Sequence, residues 1–274
     1  MLAGGPSRGI LRAIGLWALL WAGAPGLMGC GGPQKAAWAP SAQRSDGLPA
    51  TADALLTLAD AQIAQSPRTP DRVDRALAAL EAAARIGVEP PFELQWRVAR
   101  ACFHLSEMVS SSSASEAYAL RGVTHGEQAV ALSGERVEGH YYLALNMVKS
   151  VEASAEVTKL GPMMEVAQRA VTIDPSFDDA GPFRLVGKVY MVAPEWPASV
   201  GDRDKAVEIL KKAVATAATP MNRLFLGQAL YHIDEYDKAA PHVRRALKEG
   251  IKTGLPDRWL DEARDYLHRM GVGE

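Results

Sequence analysis

The sequence predicts an all-α chain, a helical-repeat solenoid of about five helix pairs with a C-terminal capping helix. Three observations carry this. A block of apolar residues returns at a fixed step: Ala206, Leu210 and Ala213 recur 33 positions later as Ala239, Val243 and Ala246. Pro and Gly punctuate the chain at helix-hairpin intervals, with apolar residues at helical spacing between them. No segment alternates with period two for long enough to form a strand.

The chain is organised around Gly181–Ala213. Phe183, Val186, Gly187 and Tyr190 have the spacing W-x2-L-G-x2-Y of the first tetratricopeptide helix, and Ala206, Leu210 and Ala213 that of the second. The next repeat follows as Leu226, Gly227 and Leu230, then Ala239, Val243 and Ala246. Its step is one residue short of the tetratricopeptide period of about 34. The small residues have a physical reason: antiparallel helices approach closely where Gly187, Gly227, Ala206 and Ala239 stand, and larger neighbours fill the flanks. Ala193–Gly201 enlarges the hinge between the helices of the first of these repeats. Leu143 to Met163 spans the same 20 residues as Val186 to Ala206, so the preceding repeat shares the enlarged hinge.

The elements follow in order. Residues 31–49 lack apolar periodicity and read as a flexible tether. From Thr51, Ala54, Leu55, Leu58 and Ile63 form a helical stripe broken by Pro67 and Pro70. Asp71–Ile86 is a second helix, ended by Gly87. Pro90 and Pro91 open a third, Phe92–Val109, whose inner face carries Leu94, Val98, Cys102 and Leu105. Ser110–Ser115 reads as a capped turn before Glu116–Leu132. Glu135–Glu152 and a helix opened at Lys159–Pro162 form the next pair, ended by Asp174 and Pro175. After the repeats centred on Gly187 and Gly227, Asp257–Met270 covers the open end with Trp259, Leu260, Ala263 and Leu267.

The N-terminus has a different character. Arg8 and Arg12 form a positive segment, Ile14–Leu27 an apolar one too short to span a bilayer comfortably, and Leu27-Met28-Gly29-Cys30 resembles a lipobox. The expected division is a lipoprotein signal peptide over 1–29, the tether over 30–50 and the repeat domain over 51–270, with Cys30 lipidated. Gly31 after the cysteine points to the periplasmic side of the outer membrane rather than the inner. The remaining Cys102 has no partner for an internal disulfide and reads as a small core hydrophobe. A formal net charge of −2 implies no nucleic-acid face.

Beyond the repeats, Val137–Lys149 (VEGHYYLALNMVK) and Asp174–Leu210, with Gly181, Pro182, Arg184, Gly187 and Tyr190 and then Pro197, Ser199, Gly201 and Asp202, resemble the T component (TatT) family of tripartite ATP-independent periplasmic (TRAP) transporters. The lipobox agrees. The resemblance covers most of the mature chain, less so its first third. It implies a periplasmic lipoprotein of degenerate repeats that associates with the transporter's periplasmic solute-binding protein and carries a hydrophobic ligand path; the chain is then expected to bind a solute, that protein, or both. The alternative is a tetratricopeptide scaffold that organises envelope proteins without a small-molecule ligand. Homo-oligomers are compatible with either.

Chemistry is sparse. The sequence has no H-E-x-x-H, G-x-S-x-G, P-loop or paired C-x2-C, and its six histidines lack metal-ligand spacing. No catalytic residue, metal or cofactor is expected. Asp178-Asp179 and Asp202–Asp204 precede helices, where carboxylates cap and complement the dipole. Candidate binding residues are Tyr141, Tyr142, Asn146 and Lys149 on one first helix, with Arg184, Tyr190 and Trp196 in the next repeat. Tyr142, Asn146 and Lys149 share a stripe that either lines a groove or packs with a solvated lysine. Arg184 tethers neighbouring acidic residues or faces a ligand carboxylate. Trp196 plugs the gap between hairpins, the favoured reading, or offers a contact surface. The enlarged hinges Glu152–Gly161 and Ala193–Gly201 are expected to rim the groove.

Overall fold

The computed structural model describes residues 47–273. The expected signal peptide, Cys30 and most of the expected tether lie outside the described residues. Within them there are eleven α-helices and no strand. They pair in sequence: α1 (Ala52–Ala64) with α2 (Pro70–Ile86), α3 (Phe92–Met108) with α4 (Ser112–Leu132), α5 (Val137–Ser154) with α6 (Leu160–Ile173), α7 (Phe177–Val192) with α8 (Arg203–Thr216), and α9 (Pro220–Tyr231) with α10 (Tyr236–Thr253). The unpaired α11 (Asp257–Arg269) closes the series.

Local chemistry sets the boundaries. Thr51, Thr69, Ser111, Asp202 and Thr219 each accept a backbone N–H of the first turn that follows, satisfying donors that a helix start leaves unpaired. Ser111 is thus the cap, and α4 begins at Ser112, earlier than the serine run predicts. Gly254 ends α10 with φ 72°, and Leu255 N–H returns to the Gly250 carbonyl at 2.9 Å, a left-handed stop that glycine makes without strain. Asp202 caps as expected. Asp178 and Asp179 do not: they lie, with Ala180, in left-handed backbone at the start of α7.

The core is continuous from pair to pair. One cluster joins α1, α2, α3 and α4 around Leu55, Leu77, Leu80 and Leu105. Cys102 is fully buried in it, and burial pushes its thiol up to about 12, so it packs as a hydrophobe. A second runs from α3 to α7 and a third from α7 to α11. Helices α3 and α7 therefore contribute to two clusters each. The close approaches are real: a Cβ on Gly187 would sit 2.5 Å from Leu210 Cγ, and one on Gly227 would overlap Val243 Cγ2.

The pairs curl far enough for the ends to meet. Arg258 on α11 reaches Glu107 on α3 at 3.5 Å, 151 residues away. A Cβ on Gly254 would lie 3.7 Å from Ser66 Oγ in the α1–α2 connection.

Candidate functional site

The inner face of this curl lines a half-open cavity of about 740 Å3. Its wall comes from the first helix of each pair, α1, α3, α5, α7 and α9, and from α11. The remaining edge is made by connections at Arg68, Thr219 and Thr253–Pro256. The enlarged hinges contribute nothing to it. The cavity draws on the N-terminal halves of α5 and α9 and on α7 from Asp178 to Lys188, whereas those hinges follow the C-termini of α5 and α7.

Apolar wall comes from Phe103, Leu145, Leu185, Met221, Phe225 and Trp259. Over it lie five cationic side chains, Arg68, Arg100, Arg184, Lys188 and Arg258, against three anionic ones, Glu107, Asp178 and Asp179. The cations differ in what holds them. Arg100 is ion-paired to Asp60, behind the wall, and its guanidinium lies over the Trp96 ring. Arg258 is paired to Glu107. Arg68 donates to the Ile63 carbonyl at 2.9 Å, and among the described residues it has no ion pair. Lys188 is 5% exposed; its ammonium has only a 3.3 Å bond to Gln228 Oε1 and the Phe225 ring 4.4 Å away. Burial lowers the pKa of Lys188 although Glu262 and Glu152 oppose it. His104 is driven well below its ordinary value by burial, then by Arg68, Arg100 and Arg258, so it faces the cavity as a neutral imidazole. Lys188 and Arg68, neither of them in an ion pair among the described residues, each add positive charge to a wall that is largely apolar, which suits an acid group.

Arg184 is the hub of the N-terminal side. It donates to Asp178 Oδ2 at 2.9 Å, to the carbonyls of Asp178 and Asp179 at 3.2 Å each, and to Asn222 Oδ1 at 3.0 Å. Burial opposes its charge, but Tyr141 and Asp178 outweigh it and raise its pKa. Tyr141 OH donates to the same Asp178 oxygen at 2.7 Å, and its own pKa is raised well above the ordinary value by burial and then by Asp178. Asn222 also donates to the Asp179 carbonyl at 2.7 Å, which fixes the left-handed turn from α9. Tethering of the neighbouring acidic residues is thus the role the geometry gives Arg184, within the cavity wall.

The other sequence candidates divide. Tyr142 is buried, stacks on Trp96 with 6.1 Å between centroids, and lines the cavity beside Tyr141. Asn146 lies in the core rather than a groove: fully buried, it donates to the Ala99 and Tyr142 carbonyls. Lys149 is buried and pairs with Glu152 at 2.6 Å, not solvated and not on the wall. Tyr190, partly buried, packs against both the second and the third cluster and accepts from Gln168. Trp196 plugs nothing: it is 85% exposed. The hinge that carries it is braced instead by backbone bonds from Gly201 to Pro194 and from Asp202 to Tyr190. Sequence reasoning missed Arg68, Arg100, His104, Glu107, Lys188 and Arg258. Only Lys188 left a signal, four residues after Arg184 and so on the same face.

The eleven helices, paired in sequence and curled round the cavity, define a tetratricopeptide-like helical-repeat fold. A thermophilic tetratricopeptide protein from Thermus thermophilus has a similar crystal structure, with TM-score 0.61 and 22% identity over 81% of this chain and all of that one. No protein-family model matches the sequence, and no curated protein does.

Proposed function

We propose that the chain is a lipid-anchored periplasmic accessory component of a TRAP-type transporter, on the outer-membrane side, that holds an anionic solute in its cavity and docks the periplasmic solute-binding protein. What supports the solute is the cavity itself. The segments that resemble the T component place Tyr141, Tyr142, Arg184 and Lys188 on one cavity wall, with Lys188 and Arg68 offering charge that no carboxylate of the described chain pairs. Co-purification from native membranes tests the assignment. Stoichiometric recovery of a TRAP-class solute-binding protein supports it; recovery of envelope-assembly factors alone overturns it in favour of a scaffold. One observation favours that second reading: Trp196 is displayed on a braced hinge, as an aromatic contact residue for another protein would be.

A further inference from the structure

Asp178 is an odd partner for a buried arginine. The donors that hold its Oδ2, Tyr141 OH and Arg184 Nη2, are fixed: Tyr141 is buried, and the Arg184 side chain is 16% exposed and tied to Asn222 as well. The acceptor is not enclosed, since the Asp178 side chain is 46% exposed. Donors and carboxylate all line the cavity, and of the three the carboxylate is the one open to solvent. It is carried on backbone that residues with a Cβ disfavour, with φ of 49°, 54° and 64° at Asp178, Asp179 and Ala180. Glu107, the other carboxylate paired on the wall, has a side chain only 10% exposed and no comparable route to water.

We infer that Asp178 is a specificity-determining residue of the cavity: its carboxylate occupies, from within the chain, the Arg184–Tyr141 seat that a ligand's acid group takes by displacing it into solvent. This rests on the reading of the cavity as a solute site. The exchange leaves no buried charge unpaired, because one anion replaces another on Arg184. It also sets the ligand class. A bare carboxylate gains only the difference between itself and Asp178, which is close to nothing. An acid carried on an apolar body adds contacts with Leu185, Phe225 and Trp259, which Asp178 does not make. The ligand class is therefore an aryl or alkyl acid rather than a small hydrophilic one.

Calorimetric titration of the full chain in detergent, at fixed ionic strength, tests this with sodium benzoate as probe, benzamide as its neutral counterpart and acetate as the bare acid. Asp178→Asn keeps size and tolerates positive φ but removes the competing charge. Asp178→Gly, also at ease there, empties the seat and serves if the first variant shows altered helicity. The expected result is benzoate binding about tenfold tighter or more in Asp178→Asn than in wild type. Benzamide stays weak in both, acetate gains in Asp178→Asn but remains weaker than benzoate in each protein, and Arg184→Met abolishes both gains. Equal or weaker benzoate binding by both Asp178 variants, with Lys188→Met still reducing affinity, overturns the displacement and leaves the cavity reading standing. Failure of wild type and both Asp178 variants to prefer benzoate over benzamide overturns the cavity reading and this inference together.

Discussion

Replacing Gly126 by alanine tests a helix crossing where backbone itself stands in the way. Gly126 lies on α4, and a Cβ there would sit 2.8 Å from both Cα and Cβ of Leu143 on α5. Carbon atoms pack at about 3.5–4.0 Å, so the added methyl is roughly 1 Å too close. A rotamer change at Leu143 cannot move its Cα, so α4 and α5 must part. Overpacking of this kind costs about 1–3 kcal/mol, and the upper half of that range applies where backbone has to yield. Alanine returns about 1 kcal/mol of helix propensity. The net is a loss of about 1–2 kcal/mol, which for a domain of this size lowers the melting temperature by roughly 2–8 °C. Gly250→Ala is the internal control. Its Cβ would meet only side-chain atoms of Leu255 and Leu260, at 3.0–3.2 Å, which can move aside. That variant should melt within a degree or two of wild type, or above it. Thermal unfolding followed by circular dichroism compares the two. If Gly126→Ala melts as high as Gly250→Ala, α4 and α5 do not cross at Gly126, and the steric account of the small residues fails.

Three further outcomes follow from the structure. Lys188→Met removes a buried ammonium that no carboxylate pairs, so the melting temperature should hold or rise while any anion binding is lost; unfolding of the variant would assign Lys188 to the core instead. His232 is held down at about 4 by burial, then by Arg203, Lys188 and Arg269, whereas the unfolded chain protonates near its ordinary value of about 6.5. The unfolded state binds the proton first, so stability is full above about pH 6.5 and drains towards about pH 4, by on the order of 2 kcal/mol. The raised carboxyls of Glu107, Glu152 and Glu262 act in the opposite sense, so the readout is the difference: wild type should lose more melting temperature than His232→Gln between about pH 7 and about pH 4.5, and equal losses refute the assignment. Cys30→Ser should leave the precursor unlipidated and uncleaved by lipoprotein signal peptidase; lipid labelling and processing as in wild type would end the lipobox reading.

The fold was legible because its determinants are local and periodic. Ala206, Leu210 and Ala213 return at a fixed step, and only a small residue suits a crossing such as Gly187 on Leu210. The cavity was less legible because it depends on curvature. Helical spacing puts Tyr142, Asn146 and Lys149 on one stripe, but α5 is covered on several sides, so Asn146 meets the Ala99 carbonyl of α3 and Lys149 turns to Glu152. A period of 3.6 marks faces without saying how many are covered. Arg68 and Arg258 are 190 residues apart in sequence and meet the same cavity only once five pairs have curled round. The Asp178-Asp179 pair looked like a capping signal, and nothing short of the Arg184 and Asn222 contacts reveals its left-handed course.

The meeting of α11 with α3 and of Gly254 with Ser66 bears on how such a chain can evolve. Open stacks of repeats gain or lose copies freely, since each new unit needs only its neighbour. Here the copy number is part of the architecture. Duplicating the unit that begins near Gly181 would carry Arg258 one step past Glu107, and deleting it would leave the two apart. Either event would abolish the cavity while every surviving crossing stayed well packed. Change by substitution and by growth of the hinges remains open to this protein, whereas change by whole-repeat recombination does not.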